Sequence, residues 1–80
     1  MTVRLRFFAM LRERLGTAEV ERTADARATV GSIWRGFVKE HPEVARVRVR
    51  FAVDEAYVDL DHRVQDGDEV AVFPPVSGGV

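Results

Sequence analysis

Residues 29 to 40 read Thr29-Val30-Gly31-Ser32-Ile33-Trp34-Arg35-Gly36-Phe37-Val38-Lys39-Glu40. Apolar side chains recur in this stretch at intervals of three and four residues, at Val30, Ile33, Trp34, Phe37 and Val38. That spacing forms one apolar stripe along a helix. Thr29 is placed to cap the helix, and Pro42 marks its end. The pattern predicts a single amphipathic helix whose stripe packs against another element.

Two glycines interrupt this helix. Gly31 and Gly36 each cost about 1 kcal/mol relative to alanine in a helix interior. A glycine is useful there when the backbone has to lie close to a neighbouring element. We therefore expect both glycines to let the helix backbone approach a sheet.

Before the helix, apolar and polar residues alternate over residues 2 to 8, with one face formed by Val3, Leu5 and Phe7. This is the period of a half-buried strand. A short polar turn or helical piece over residues 10 to 15, closed by Gly16, leads to a weaker strand pattern over residues 19 to 23. The two strands are predicted to form a hairpin.

After the helix, alternation resumes, with inward positions at Val47, Val49, Phe51 and Val53 and outward positions at Arg46, Arg48 and Arg50. A turn at Asp54-Glu55 leads to a short strand over residues 56 to 59. A second turn over residues 65 to 68 leads to a last strand over residues 69 to 73. Pro74 and Pro75 end that strand, because neither can donate to a strand ladder.

The order of these elements is strand, strand, helix, strand, short strand, strand. It fits an α+β fold of the β-grasp type, which is ubiquitin-like: a mixed sheet of about five strands covered by one main helix. We expect one domain over residues 1 to 80, in which residues 74 to 80 form a flexible C-terminal tail. At 80 residues, folding buries roughly 60% of the surface of the unfolded chain. An enclosed catalytic cavity is therefore not expected.

Composition narrows the class of protein. Hydrophobic residues make up 46% of the chain and charged residues 31%, which is typical of a globular domain. No apolar run approaches the roughly 20 residues that cross a bilayer, and the alternating start is unlike a signal peptide. We therefore expect a cytoplasmic protein without a membrane partner. The chain has no cysteine, so it offers no thiolate nucleophile.

Charge is uneven along the chain, although the net charge is −1. Residues 54 to 69 hold seven acids against Arg63 alone. Because this acidic segment leads directly into the tail, we expect the partner that receives the tail to offer a basic surface.

Catalytic signals are weak. His41 and His62 have no further histidine or cysteine at metal-ligand spacing, so no metal site is predicted. Asp59 and Asp61 are more typical of a solvated turn than of a catalytic pair, and Ser77 is interpreted as a spacer. The three outward arginines lack the exposed aromatic residues of a nucleic-acid surface, so no nucleic-acid partner is predicted. The chain is not expected to be an enzyme on its own.

The end of the chain offers more chemistry, reading Phe73-Pro74-Pro75-Val76-Ser77-Gly78-Gly79-Val80. Two glycines without β-carbons can enter a narrow channel. Residues 74 to 79 can reach about 20 Å when they are fully extended. A terminal carboxylate becomes an electrophile only after activation, for example as an acyl adenylate, which sulfide or an amine can then attack.

The stretch Phe-Pro-Pro-Val-Ser-Gly-Gly, preceded by residues 66 to 72, closely resembles the terminus of the small subunits of molybdopterin synthase. These are β-grasp sulfur carriers related to the thiamin sulfur carrier. Further similarity covers residues 5 to 9 and 11 to 13, the helix start at Thr29-Val30, and later positions at 52 to 54 and 57 to 58. The resemblance therefore extends over most of the chain.

The resemblance implies a sequence of partners. An adenylating enzyme of the ubiquitin-activating type would use ATP to activate the carboxylate of Gly79. A sulfur donor protein would convert it to a thiocarboxylate. The large subunit of molybdopterin synthase would receive the tail, and sulfur would pass to a pterin precursor in molybdenum cofactor biosynthesis. No bound cofactor is implied, since ATP is used by the activating partner.

The resemblance also implies roles for residues. Gly79 would carry the acyl group and Gly78 would give it clearance. Partner contacts would come from an apolar tail root and its surroundings: Phe73, Pro74, Pro75, Val76, Ser77, Val72 and Tyr57. Core packing is the alternative role for Phe73.

One residue departs from the family pattern, which ends at the second glycine. Val80 places the terminal carboxylate on a β-branched residue, so the chain as written is not expected to be charged at Gly79. Three explanations are open: a protease removes Val80, the chain was made with an extra residue, or this protein no longer carries sulfur. The intact pattern up to Gly79 favours the first two.

Other functions use the same features. The chain could supply sulfur for thiamin, tRNA or cysteine, or be joined to lysines of target proteins as a ubiquitin-like modifier. Lys39 is the only lysine, which disfavours extended chains of this protein. A further alternative is a β-grasp interaction domain whose tail has no chemical role.

Overall fold

The computed structural model describes residues 1 to 75. Its elements, in chain order, are β1 (Thr2–Phe7), α1 (Met10–Leu15), β2 (Glu19–Thr23), α2 (Val30–Glu40), a 3₁₀ turn (Pro42–Val44), β3 (Arg50–Val53), β4 (Ala56–Val58) and β5 (Glu69–Phe73). The predicted order of strands and of the main helix is confirmed. The extent of the domain to residue 80 and the flexible tail stay predictions.

The five strands form one mixed sheet in the order β2-β1-β5-β3-β4. β1 and β5 are parallel, with Phe7 opposite Val72, whereas the other neighbouring strands are antiparallel. In the β3–β5 ladder, Arg50 lies opposite Phe73. This is the β-grasp arrangement that the sequence predicted.

The register defines two ends of the sheet. We call the end where β5 finishes at Phe73 the tail end, and the opposite end, which holds Met1 and the turn over residues 65 to 68, the far end. β1 runs from the far end to the tail end, because it is parallel to β5. β3 starts at the tail end, because it is antiparallel to β5.

The core lies between the sheet and α2. Phe37 is almost completely buried, and its ring lies 5.2 Å from that of Phe7 and 5.5 Å from that of Trp34. Burying one such side chain stabilises the fold by about 1.5–3 kcal/mol. The inward residues of the strands complete this core: Val3, Leu5, Phe51, Val53, Val70 and Val72.

The start of α2 is held by a capping box and by the loop over residues 59 to 63. The Thr29 side chain accepts from the Ser32 amide and the Ser32 side chain accepts from the Thr29 amide, which satisfies two donors at the helix start. The amide of Val30 donates to the His62 carbonyl over 3.0 Å, and that of Gly31 donates to the Leu60 carbonyl over 2.8 Å. The predicted cap at Thr29 is confirmed.

The third strand is shorter than predicted. It begins at Arg50 rather than near Arg46, because the chain after α2 first forms the 3₁₀ turn and a further turn. Val47 and Val49 are nevertheless half-buried while Arg46 and Arg48 are exposed. The alternation over residues 46 to 53 therefore predicts correctly which side chains are buried, but it predicts a longer β3 than the structure has.

The expectation for the helix glycines was wrong at Gly36 and needs correction at Gly31. A Cβ at Gly36 would meet no atom within 4 Å, so Gly36 lies on the open side of α2. A Cβ at Gly31 would lie 2.9 Å from the Leu60 carbonyl oxygen. Gly31 thus serves a close approach, but to a loop and not to a strand.

Within residues 1 to 75, no helix combines the length and the apolar character that crossing a membrane requires.

Candidate functional site

The face of the sheet that α2 leaves uncovered carries the outward residues of all five strands. We call it the open face; its residues include Arg4, Arg6, Glu19, Glu21, Arg50, Ala52, Tyr57, Glu69, Ala71 and Phe73. Strand alternation places them there, because their neighbours in sequence point into the core. The face divides into a charged part on β2 and β1 and an apolar part near the tail end.

The charged part is a network of exposed ion pairs. Arg4 lies 3.6 Å from Glu19, 3.7 Å from Glu21 and 3.8 Å from Glu69. Arg6 lies 3.2 Å from Glu69. Exposed pairs of this kind contribute about 0–1 kcal/mol each, so the network aligns β2, β1 and β5 more than it stabilises them.

The apolar part, which we call the exit patch, consists of Phe8, Tyr57 and Phe73. Tyr57 is 68% exposed and Phe8 is 39% exposed, whereas Phe73 is half-buried. The rings of Tyr57 and Phe73 lie 5.7 Å apart. The amide of Phe8 donates to the Val72 carbonyl over 3.2 Å, which ties Phe8 to β5 at the tail end.

Each exposed ring of the exit patch is accompanied by an arginine. The Arg50 guanidinium lies 5.4 Å from the centre of the Tyr57 ring, and the Arg6 guanidinium lies 5.7 Å from that of Phe8. A cation over an aromatic face at an exposed site contributes about 0.5–1 kcal/mol. These contacts hold the rings against the sheet and add positive charge around them.

The structure brings Tyr57 and Phe73 together, as a site at the tail root requires. Pro74 is half-buried and Pro75 is exposed, so the chain reaches the surface directly after Phe73. The prediction for Val72 needs correction, because its side chain is completely buried. It packs into the core on the α2 side of the sheet and offers no surface for docking.

The remaining predicted residues of the tail, Val76, Ser77, Gly78 and Gly79, lie outside the described residues, as does Val80. Their roles, and those of Phe73, Pro74, Pro75 and Tyr57 as partner contacts, stay predictions.

Sequence reasoning missed Phe8. It follows the alternation of β1, in which even-numbered residues face outward, and an outward phenylalanine was a signal that could have been used. The small residues Ala52 and Ala71 were also missed. They lie opposite each other in the β3–β5 ladder. Their small side chains leave a shallow area on the open face between Tyr57 and Arg6.

The catalytic candidates form no site in the described part of the chain. His41 stacks on Phe37 at 4.4 Å, and its Nδ1 atom lies 3.3 Å from a Glu43 carboxylate oxygen. A hydrogen bond from its own backbone, with a further one from His41, lowers the pKa of Glu43. No group of three or more metal-ligating side chains occurs within residues 1 to 75.

The second pair of candidates also lies in a turn. β4 ends at Val58, and the His62 amide donates to the Asp59 carbonyl over 3.1 Å. Asp59 and Asp61 therefore do not share the face of a strand. Beside them, a groove of about 460 Å³ is lined mainly by apolar residues, including Trp34 and Leu60.

The structure changes the premise on which a basic partner surface was expected, namely that the acidic segment lies beside the tail. Two acidic turns of the segment over residues 54 to 69 lie at the far end, since Gly67 donates to Thr2 and Val53, before the Asp54-Glu55 turn, lies opposite Val70. The turn that holds Asp59 follows the tail-end side of β4. β5 then crosses the whole sheet before the tail begins. Adjacency in sequence therefore did not mean adjacency to the tail root.

The comparisons with known proteins agree with this geometry. The ThiS family matches residues 5 to 79, so the match ends at Gly79. The molybdopterin synthase sulfur carrier subunit of Escherichia coli is 37% identical over 81 residues, covering 96% of this chain and 99% of that protein. Small archaeal modifier protein 3 of Haloferax volcanii is 32% identical over 92 residues, covering 99% of this chain and all of that protein.

Two solved structures share the fold. SAMP1 from Haloferax volcanii has a TM-score of 0.85 and 31% identity, covering 99% of this chain and 100% of that one. A chain in the complex of subunits 1 and 2 of molybdopterin-converting factor from Helicobacter pylori has a TM-score of 0.69 at 24% identity, covering 99% of this chain and 100% of that one; this likeness concerns the fold alone. The chain described here belongs to the ThiS family and is a relative of the molybdopterin synthase sulfur carrier subunits.

Proposed function

We propose that this protein is the sulfur carrier subunit of a molybdopterin synthase and is not catalytic alone. The observation that carries the proposal is the match to the ThiS family up to Gly79, together with a relative of nearly equal length that is named a sulfur carrier subunit. The exit patch at the root of the tail supports it, because it gives a partner an apolar surface next to the point where the chain leaves the sheet.

The chemistry takes place at Gly79. Its carboxylate attacks the α-phosphate of ATP on an adenylating enzyme of the ubiquitin-activating type, and pyrophosphate leaves. Sulfide delivered by a donor protein then attacks the acyl carbon, AMP leaves with the bonding electrons, and a thiocarboxylate results. The thiocarboxylate enters the large subunit and gives its sulfur to a pterin precursor, and water that attacks the acyl carbon restores the Gly79 carboxylate. The carrier binds no cofactor of its own in this scheme.

Docking would use the exit patch. The exit patch consists of three aromatic residues that are exposed or half-buried, Phe8, Tyr57 and Phe73. They lie on a face where two alanines leave room for a partner's side chains. Aromatic residues are enriched among the residues that dominate binding energy at interfaces. In the complex from Helicobacter pylori the two subunits of the converting factor bind each other. The large subunit is therefore the first partner that we assign to this patch.

The second candidate function is that of a ubiquitin-like modifier. It is favoured by the 32% identity to small archaeal modifier protein 3. The activated Gly79 would then be attacked by the amine of a target lysine in place of sulfide, with AMP again as the leaving group. Supply of sulfur to another pathway uses the same first step. Both alternatives share a cytoplasmic location, which is part of this proposal.

The test compares two forms of the chain, one with all residues to Val80 and one that ends at Gly79. Each is mixed with the cognate adenylating enzyme and ATP, and pyrophosphate release and intact mass are measured. We expect activation only of the form that ends at Gly79, followed by replacement of one oxygen by sulfur when a donor is added. Equal activation of both forms would contradict the need for trimming by a protease, and activation of neither would contradict the carrier function.

Intact mass from the native host separates the candidates. A thiocarboxylate form together with co-purification of a large synthase subunit supports the carrier. A series of covalent adducts with other proteins supports the modifier. Recovery of the chain with Val80 in place, and without any sulfur-bearing form, supports the interaction domain.

A further inference from the structure

Three exposed arginines, Arg46, Arg48 and Arg50, lie beside the exit of the tail. We call them the arginine group. Arg50 is opposite Phe73 in the β3–β5 ladder. Because these strands are antiparallel, the chain that precedes Arg50 and the chain that follows Phe73 lie beyond the same end of the sheet. The group spans four residue steps, which limits its length to about 14 Å, so all three arginines lie near the tail root.

A second set of arginines lies on the other side of the tail root. β1 ends at Phe7, opposite Val72, and α1 follows at the same end of the sheet. Arg12 and Arg14 are exposed on α1. α1 also packs against the 3₁₀ turn that precedes the arginine group. Arginines therefore flank the point where the chain leaves the sheet on both sides.

These five arginines differ from the arginines on the charged part of the open face. Arg4 and Arg6 are paired with glutamates, whereas no carboxylate within residues 1 to 75 lies within 4.0 Å of the guanidinium groups of the five. Acids at or near the tail end include Glu13, Glu43, Asp59 and Asp61, and Glu43 already contacts His41. The tail end therefore carries an excess of unpaired positive charge.

The far end has the opposite charge. Its turns and loops carry five acids, which outnumber the exposed Arg27, the nearby exposed Arg63 and the Met1 ammonium. The acids are Asp25, Asp54, Glu55, Asp66 and Asp68. The net charge of −1 for the whole chain thus conceals a molecule with a basic tail end and an acidic far end. Such a separation orients the molecule in the field of a charged partner.

We infer that the arginine group and the two α1 arginines dock against an acidic surface on the protein that receives the tail. This inference rests on the proposed function, because it places the acidic surface around the entrance of the tail-receiving site. Opposite charges around that entrance raise the rate of association and present the tail end first.

A protein surface is favoured over a nucleic acid by two features of the chain. The exposed ring nearest to the group is that of Tyr57, and Arg50 already covers it, so it is not free to stack on a base. The five acids of the far end would repel a polyanion that extends beyond the tail end. An acidic surface confined to the tail end avoids that repulsion.

The first test measures the association rate of the form ending at Gly79 with the cognate large subunit at low and high salt. The variant carries Arg46→Glu and Arg48→Glu, and the matched control carries Arg27→Glu and Arg63→Glu, which make the same change in net charge away from the tail root. All four positions are exposed, so the variants should fold, which thermal melting verifies. We expect the double variant to associate at least about tenfold more slowly at low salt, with the difference shrinking at high salt.

Equal rates for the double variant and the control that carries Arg27→Glu and Arg63→Glu would overturn the inference, even if sulfur transfer proceeds. A second test needs no partner: the labelled chain is titrated with a hexaglutamate peptide and its amide resonances are followed. We expect shifts at residues 12 to 14 and 46 to 50 and none at Arg27. This result would stand even if the large subunit failed to bind, which would count against the proposed function alone.

A single-stranded oligonucleotide is the comparison probe in the same titration. If it shifts the amides of the arginine group at a lower concentration of negative charge than hexaglutamate does, the surface fits a nucleic acid and the inference is wrong. Shifts spread evenly over the tail end and the far end with hexaglutamate would also overturn it.

Discussion

The rings of Tyr57 and Phe73 lie 5.7 Å apart and are tilted by 41°, although β3 lies between the strands that carry them. The contact is made across the intervening strand, where Ala52 lies opposite Tyr57. A small residue at that position leaves room for the two rings to meet. The ring of Phe73, at the root of the tail, thus packs against that of Tyr57, which is exposed on the edge strand of the sheet.

Phe73 and its neighbour Val72 are predicted to respond to alanine in opposite ways. Phe73→Ala removes a half-buried ring from the exit patch, so we expect binding of the large subunit to weaken by about 2 kcal/mol, roughly 30-fold, with little loss of stability. Val72→Ala opens a cavity in the core, so we expect the free energy of unfolding to fall by about 2 kcal/mol. Calorimetric titration and urea denaturation measure the two effects.

Val72→Ala is also the control for binding, provided that it is measured where the variant is still folded. Its affinity should stay within about twofold of the unchanged chain, because the side chain is completely buried. A large loss of affinity in folded Val72→Ala together with unchanged affinity in Phe73→Ala would exclude the exit patch as the docking site.

The two helix glycines provide a second matched pair. Gly36→Ala should raise the free energy of unfolding by about 1 kcal/mol, since alanine is the better helix former and a Cβ there meets no atom within 4 Å. Gly31→Ala should lower it by about 1 kcal/mol, because its Cβ would lie 2.9 Å from the Leu60 carbonyl oxygen, and overpacking of this kind costs about 1–3 kcal/mol. Denaturant unfolding of both variants measures the difference.

Both substitutions replace a glycine of α2 by alanine, so a difference in sign between the variants reports the close approach at Gly31. If Gly31→Ala is as stable as Gly36→Ala, the loop over residues 59 to 63 moves away without cost. In that case the amide of Gly31 should lose its slow hydrogen exchange, because its bond to the Leu60 carbonyl would be broken.

Periodicity was sufficient to predict most of the fold. The helix stripe and the alternation of β1 report which side chains are buried, and a burial pattern follows directly from side-chain geometry. The last strand was placed correctly because Gly67 marks the turn before it and Pro74 marks its end. Each of these residues has backbone properties that few other residues share. Gly67 has a φ of 86°, which is a left-handed conformation that glycine adopts without strain.

The errors arose where a property depends on partners distant in sequence. Val72 and Phe73 are adjacent, and only the pairing of β5 with β1 and β3 decides which of them faces the core. The position of the Asp54-Glu55 turn relative to the tail likewise depends on β3 being antiparallel to β5. Composition along the chain contains no information on this topology, so the charge beside the tail root could not be inferred from the neighbouring sequence.

The carboxyl of Glu43 is predicted to titrate at a lower pH than an ordinary glutamate. A hydrogen bond from its own backbone is the main cause that lowers its pKa, and the His41 ring adds to it. Because the pKa is lower in the folded state, the interaction favours folding above the ordinary carboxyl pKa and is lost as the pH falls through the lowered value. NMR titration of the Glu43 carboxyl measures this directly.

Replacing His41 separates the two causes. In His41→Gln the pKa of Glu43 should rise part of the way towards its ordinary value, because the backbone hydrogen bond persists. His62→Gln is the control, since His62 is not among the groups that shift the pKa of Glu43. A Glu43 titration that is unchanged in His41→Gln would mean that the 3.3 Å contact with Nδ1 does not form in solution.

Ala9 joins β1 to α1 in a conformation that alanine rarely adopts. Its φ is 55° and its ψ is −135°, in a region that glycine occupies without strain. Strain of this type costs about 1–3 kcal/mol. Ala9→Gly should therefore raise the free energy of unfolding by about 1 kcal/mol, after the entropic cost of glycine is subtracted.

Ala45 is the matched control for Ala9. It is exposed and has an ordinary right-handed helical conformation, with φ at −62° and ψ at −30°, so Ala45→Gly should lower the free energy of unfolding by about 0.5–1 kcal/mol. The same urea denaturation measures both variants. If both glycines destabilise the protein, Ala9 is not strained in solution, and the turn that follows Phe8 must then differ from the one described here.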